Sequence, residues 1–108
     1  MTTVTIYKSD TDTYTGFRAS GHAMQARYGE DIVCAAVSAL TINTVNSIDL
    51  FTTDKVTLSQ DEEAAVIDVT FTGAISPETK LLMQSYETGI TELAKQYPEV
   101  QVQIQKRG

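Results

Sequence analysis

The stretch from Ser76 to Pro98 limits what this chain can become more than any other, because both ends of a helix are written into it. Serine caps a helix by accepting from a backbone N–H that has no partner within the helix, and proline at the first helical position gives up an N–H that would go unused. Glu78 then places an acid in the first turn, against the positive end of the helix dipole. Pro98 cannot continue the helix, so it ends by about Tyr97. At ~1.5 Å per residue the element is roughly 30 Å long, about the width of a small domain. Gly89 lies inside it, where glycine costs about 1 kcal/mol relative to alanine. A close backbone approach, to another helix or to a second subunit, accounts for that glycine; a neutral exception accounts for it equally well.

Around this helix the chain alternates in the manner of strands. Thr3 to Lys8 sets Val4 and Ile6 on one face and Thr3, Thr5 and Tyr7 on the other. Ser9-Asp10-Thr11-Asp12 is turn chemistry, and Tyr14 to Ser20 reads as the returning strand. A polar loop from about Gly21 to Glu30 follows, then a helix from about Asp31 to Ile48. The first turns of that helix are apolar nearly all round, the pattern of a helix buried on most sides. Lys55 to Gln60 and Ala64 to Thr72 form a second hairpin about Asp61-Glu62-Glu63, and the solvated acids of that turn carry no chemistry. Val102 and Ile104, with Val100, give a last strand. The order ββαββαβ predicts one α+β domain over residues 1–108, with a largely antiparallel sheet packed against two helices.

Composition narrows the setting. Fourteen acidic residues against eight basic give a formal charge of −6, which disfavours direct nucleic-acid binding, since that affinity comes largely from Lys and Arg on phosphates. An acidic surface suits a basic partner, and equally serves to keep a protein dissolved. The single cysteine permits no internal disulfide and fits a reducing compartment. Too few ligands accompany it for zinc, and neither a metal nor a cofactor is expected. The start, Met1-Thr2-Thr3-Val4, lacks a basic segment followed by an apolar run, so no secretory signal is expected. No stretch reads as approaching the ~18–20 apolar residues of a membrane helix. The expectation is a cytoplasmic protein with no membrane partner.

Chemistry concentrates in one segment. The sole histidine and the sole cysteine, His22 and Cys34, are twelve positions apart in Gly21-His22-Ala23 … Gly29-Glu30-Asp31-Ile32-Val33-Cys34-Ala35-Ala36-Val37-Ser38-Ala39-Leu40. Asp31 suits a helix cap, which puts Cys34 in the first turn, where unpaired N–H groups favour a thiolate. His22, at the end of a strand, can serve that sulfur as base and then as acid. Ser38 lies one turn past Cys34 on the same face and can bond near the sulfur or orient a substrate. Gly21 and Gly29 let the loop between them approach closely or move as a lid. Simpler readings exist for each. A cysteine at an Ala/Val-rich helix start also fits a small buried hydrophobe. A loop histidine is commonly just solvated, Asp31 only a cap, and Ser38 only a small residue at a helix–sheet contact.

The same residues resemble the ribosomal-processing cysteine protease family of small bacterial enzymes. Gly21-His22-Ala23 and Gly29-x-Asp31-Ile32-Val33-Cys34-Ala35-Ala36-Val37-Ser38-Ala39-Leu40 carry the likeness, and chain length and element order extend it over the whole domain. The resemblance implies that Cys34 and His22 are a catalytic pair. It also implies that the substrate is the precursor of large-subunit ribosomal protein twenty-seven, trimmed of an N-terminal extension, and that the protein is a homodimer joined through its helices. Met24-Gln25-Ala26-Arg27-Tyr28 departs from the glycine- and tyrosine-containing stretch expected there, which bears on loop behaviour and substrate preference. The resemblance names no third catalytic residue, so Asp31 and Ser38 stand on their physical reading. The expected function is a cysteine endopeptidase acting on a ribosomal protein precursor. The competing readings are a non-catalytic ribosome-assembly or binding module with a structural Cys34, and a thiol redox sensor, the latter weakened by the lack of a second cysteine.

Overall fold

The computed structural model describes residues 2–21, 31–61 and 65–107, with the side chain of Asp31 also outside the description. Among the described residues, five strands and two helices follow in the order β1 (Thr2–Lys8), β2 (Tyr14–Ser20), α1 (Asp31–Phe51), β3 (Val56–Asp61), β4 (Val66–Phe71), α2 (Pro77–Gln96) and β5 (Val100–Lys106). They build one sheet in the order β3-β4-β2-β1-β5. Three of its pairings are antiparallel, and only β1 with β5 is parallel, because α2 carries the chain back across the sheet before β5 begins. The architecture is α+β, as the element order predicts.

Register decides which side chains meet the helices. Val4 lies opposite Ala19 and Ile6 opposite Phe17, while Phe17 and Ala19 face Val69 and Ile67 on the other side. These six are all buried in the core with Val33, Val37 and Ile48 of α1 and Met83, Tyr86 and Ile90 of α2. The opposite face of the sheet is polar. There Arg18 lies 3.9 Å from Asp68, and the Arg107 guanidinium stacks 3.7 Å over the Tyr7 ring and donates to the Thr70 hydroxyl.

The expected ends of α2 hold. Ser76 accepts from the Thr79 N–H at 3.2 Å, Pro77 opens the helix, and the chain leaves it at Tyr97. Asp54, arriving from the end of α1, adds a second cap: its carboxylate accepts from the Ser76 N–H and hydroxyl and from the Thr79 hydroxyl. Those donors, Thr79 first, hold the Asp54 carboxyl below its ordinary range. Gly89 is explained by its neighbour: a Cβ there would meet the Leu40 side chain of α1 at 3.2 Å, so the glycine lets the two helices approach.

Three expectations need correction. α1 is not buried on most sides. Val33, Val37, Thr41, Thr44 and Ile48 point inward at helical spacing, but Ala35 and Ala39 are exposed, as are Ile32 (69%) and Leu50 (73%). Local sequence cannot distinguish an apolar face that meets the core from one that meets nothing in the same chain. The helix also runs to Phe51 rather than Ile48, since no breaker interrupts it before the Thr52 N–H and hydroxyl both bond the Ile48 carbonyl. With that length, Ile32–Phe51 is long and apolar enough to cross a membrane by composition alone, against the expectation that no stretch approaches this. Smaller shifts occur at the second hairpin, where β4 starts at Val66 because Ala65 takes a positive φ of 54°. Glu62 and Glu63 lie outside the described residues.

Candidate active site

Cys34 sits in the first turn of α1 and is half-buried, which removes the reading of a fully enclosed apolar cysteine. The helix places it over one end of the sheet, where β1 begins and β2 ends. Thr2, the first residue of β1, turns its hydroxyl oxygen to within 3.7 Å of the Cys34 sulfur and donates to the Gly21 carbonyl at 3.3 Å. Gly21 follows β2 directly and has a φ of 78°, a left-handed conformation suited to glycine. Its N–H donates to the Ala65 carbonyl at 3.1 Å, so the point at which the chain leaves the sheet is pinned to the start of β4.

The structure therefore brings together two of the residues singled out in sequence, Cys34 and Gly21, through a third that sequence did not flag. Thr2 carries no motif, and the contact spans 32 positions, so nothing local announces it. Ser38 is half-buried one turn beyond Cys34. His22 and Gly29, with the side chain of Asp31, fall outside the described residues. Among the described residues no group of three His, Cys, Asp or Glu side chains could hold a metal ion.

α1 is held in place from behind. The Thr41 hydroxyl, fully buried, donates to the Val37 carbonyl at 2.8 Å and lies 2.8 Å from the Tyr86 hydroxyl of α2. A threonine hydroxyl has one proton, so with that proton on the carbonyl the Tyr86 O–H is the donor of the pair. Burial pushes the Tyr86 hydroxyl up to about 12. The Tyr86 ring also packs against Phe17 in a tilted pair with centroids 4.9 Å apart, tying α2 to β2.

A half-buried thiol in the first turn of a helix, where main-chain N–H groups have no partner within the helix itself, can attack a carbonyl carbon and shelter the oxyanion that forms. Comparison with known proteins agrees. The family described as "Cysteine protease Prp" matches residues 1–103. The ribosomal processing cysteine protease Prp of Staphylococcus aureus is 28% identical over 99 residues, covering 92% of this chain and 93% of that protein. A crystal structure from Streptococcus mutans superposes with a TM-score of 0.88 at 31% identity, over 99% of each chain. The essential ribosomal processing protease Prp from S. aureus, solved with a substrate peptide, superposes with a TM-score of 0.86 at 25% identity, over 99% of this chain and 100% of that one. This chain is a cysteine peptidase and belongs to the Prp family of cysteine proteases.

Proposed function

We propose that the chain is an endopeptidase that removes the N-terminal extension from the precursor of large-subunit ribosomal protein twenty-seven, with Cys34 as nucleophile and His22 as base and acid. The observation that carries this reading is that a cysteine peptidase with one cysteine has its only possible thiol nucleophile at the start of α1, half-buried and linked through the Thr2 hydroxyl to Gly21, which precedes His22 in the sequence. The similarity to proteins named for ribosomal processing, one of them solved with a substrate peptide, supports the substrate class.

In the proposed cycle the Cys34 sulfur gives its proton to His22 and attacks the scissile carbonyl carbon. Main-chain N–H groups at the start of α1 receive the oxyanion. His22 then protonates the departing amine, leaving the extension on Cys34 as a thioester, and afterwards takes a proton from the water that hydrolyses it. Each turnover consumes one water and returns the thiol. The formal charge of −6 favours encounter with a basic ribosomal protein.

We place this activity in the cytoplasm, away from membranes and nucleic acid, in a homodimer joined through the helices. The exposed apolar stripe of Ile32, Ala35, Ala39, Ile42 and Leu50 on α1, with Leu81 on α2, supports that arrangement. The test of the function is incubation with a peptide spanning the precursor's processing site, read by mass spectrometry. A single cut at the end of the extension is expected. A folded protein whose Cys34 alkylates readily but which leaves that peptide whole would overturn the assigned substrate.

A further inference from the structure

We propose that the Thr2 hydroxyl is a positioning group for the Cys34 sulfur, turning its O–H onto the thiolate once the thiol proton has left. The inference deepens the reading above and rests on Cys34 being the nucleophile.

Thr2 is 2% exposed, and a buried hydroxyl is costly unless it finds partners. Its hydroxyl lies 3.7 Å from the Cys34 sulfur and 3.3 Å from the Gly21 carbonyl oxygen. The residue that aims this hydroxyl is itself fixed. Its N–H donates to the Glu99 carbonyl at 2.9 Å, its Cα pairs with Val100 across the sheet, and a β-branched side chain has little freedom about χ1.

One hydroxyl carries one proton and two lone pairs. While Cys34 is a thiol, S–H donates to Thr2 Oγ1 and Thr2 O–H donates to the Gly21 carbonyl. When the thiol proton passes to His22, the sulfur becomes an acceptor with a full negative charge. Rotation about the Thr2 Cβ–Oγ1 bond then swings the O–H from the Gly21 carbonyl to the sulfur. Thr2 keeps its own proton throughout, and no covalent bond to it forms or breaks.

Magnitudes favour the swing. Hydrogen bonds to ionised acceptors are roughly twice as strong as neutral ones. The bond given up is long, since hydroxyl–oxygen pairs normally lie within ~3.0 Å. Other threonines show what full commitment looks like: Thr41, Thr44 and Thr52 donate to carbonyls at 2.8, 2.8 and 2.7 Å. Thr2 alone of these is held loosely and borders the nucleophile.

Thr2→Val keeps the branched shape and removes the hydroxyl, whereas Thr2→Ser keeps the hydroxyl and drops the methyl. Because the chain has one cysteine, iodoacetamide labelling reports on Cys34 without any substrate. Thr2→Val is expected to label about tenfold more slowly at pH 7 and to lose about tenfold in kcat with KM unchanged, as for an interaction gained during reaction. Thr2→Ser is expected to recover both to within about threefold, on the same hydrogen-bond reasoning. Melting temperatures place all variants as folded, and Thr2→Ala carries the same expectation should Thr2→Val unfold. Thr2→Val labelling at the wild-type rate would overturn the proposal, as would a folded Thr2→Ser as slow as Thr2→Val. Failure of the underlying reading would look different: Cys34→Ala would go on cleaving, whatever the labelling rates.

Discussion

Helix α1 carries Cys34, the proposed nucleophile, in its first turn, and a buried hydrogen bond between Thr41 and Tyr86 fastens the helix to α2. The two ends of that bond are unequal. Tyr86→Phe removes the donor but leaves the Thr41 proton on the Val37 carbonyl and the ring packed against Phe17. The cost is then the net worth of one hydrogen bond, about 0.5–1.5 kcal/mol. Thr41→Val instead strands the Tyr86 hydroxyl, 1% exposed, with the full desolvation penalty of about 1–3 kcal/mol. For a chain near this length each kcal/mol moves the melting temperature by about 4 °C. Thr41→Val should therefore melt about 4–12 °C lower than the parent and Tyr86→Phe about 2–6 °C lower, by that same conversion. The double variant has no stranded hydroxyl, so it should be no less stable than Thr41→Val alone. Calorimetry or urea unfolding of the four proteins closes the cycle. Full additivity, or a larger loss in Tyr86→Phe than in Thr41→Val, would refute this account of the helix pair.

Other outcomes follow from the same packing. A Cβ at Gly16 would land on the Val69 carbonyl oxygen of the neighbouring strand, so Gly16→Ala should lower stability by more than about 2 kcal/mol, read by urea unfolding. At Gly89 the obstacle is only the end of the Leu40 side chain, so Gly89→Ala should cost far less than Gly89→Leu in the same assay. Tyr86 stays neutral in the fold up to about 12, whereas a tyrosine in the unfolded chain ionises near ~10. Its contribution is thus intact below about pH 10 and lost between pH 10 and 12, and Tyr86→Phe should flatten that part of the stability profile. Asp54 has the opposite sign. Its depressed folded-state pKa gives stability that is present above ~3.9 and fades as the pH falls further, so the melting gap between parent and Asp54→Ala should narrow in acid.

What the sequence disclosed was local. The start of α2 is legible because Ser76 and Pro77 act on their own helix, and Cys34 and His22 stand out because each is the sole residue of its kind. Contacts between distant segments were hidden. Asp54 reaches Ser76 across 22 positions, and Thr2 reaches Cys34 across 32. Neither residue type is unusual where it stands, so only the folded chain shows what each touches. The exposed apolar face of α1 was misread for a related reason: Ile32 and Leu50 are as apolar as Val37, and composition records hydrophobicity without recording what covers it.

The most direct test of the central claim compares wild type and Cys34→Ala on the ribosomal protein precursor, following the cut by mass spectrometry and the fold by thermal melting. Because Cys34 is half-buried at a helix start, replacing its sulfur should leave the melting temperature within a few degrees. The account predicts a single cut by the wild type and none by the folded variant. A Cys34→Ala protein that still trims the precursor would contradict it.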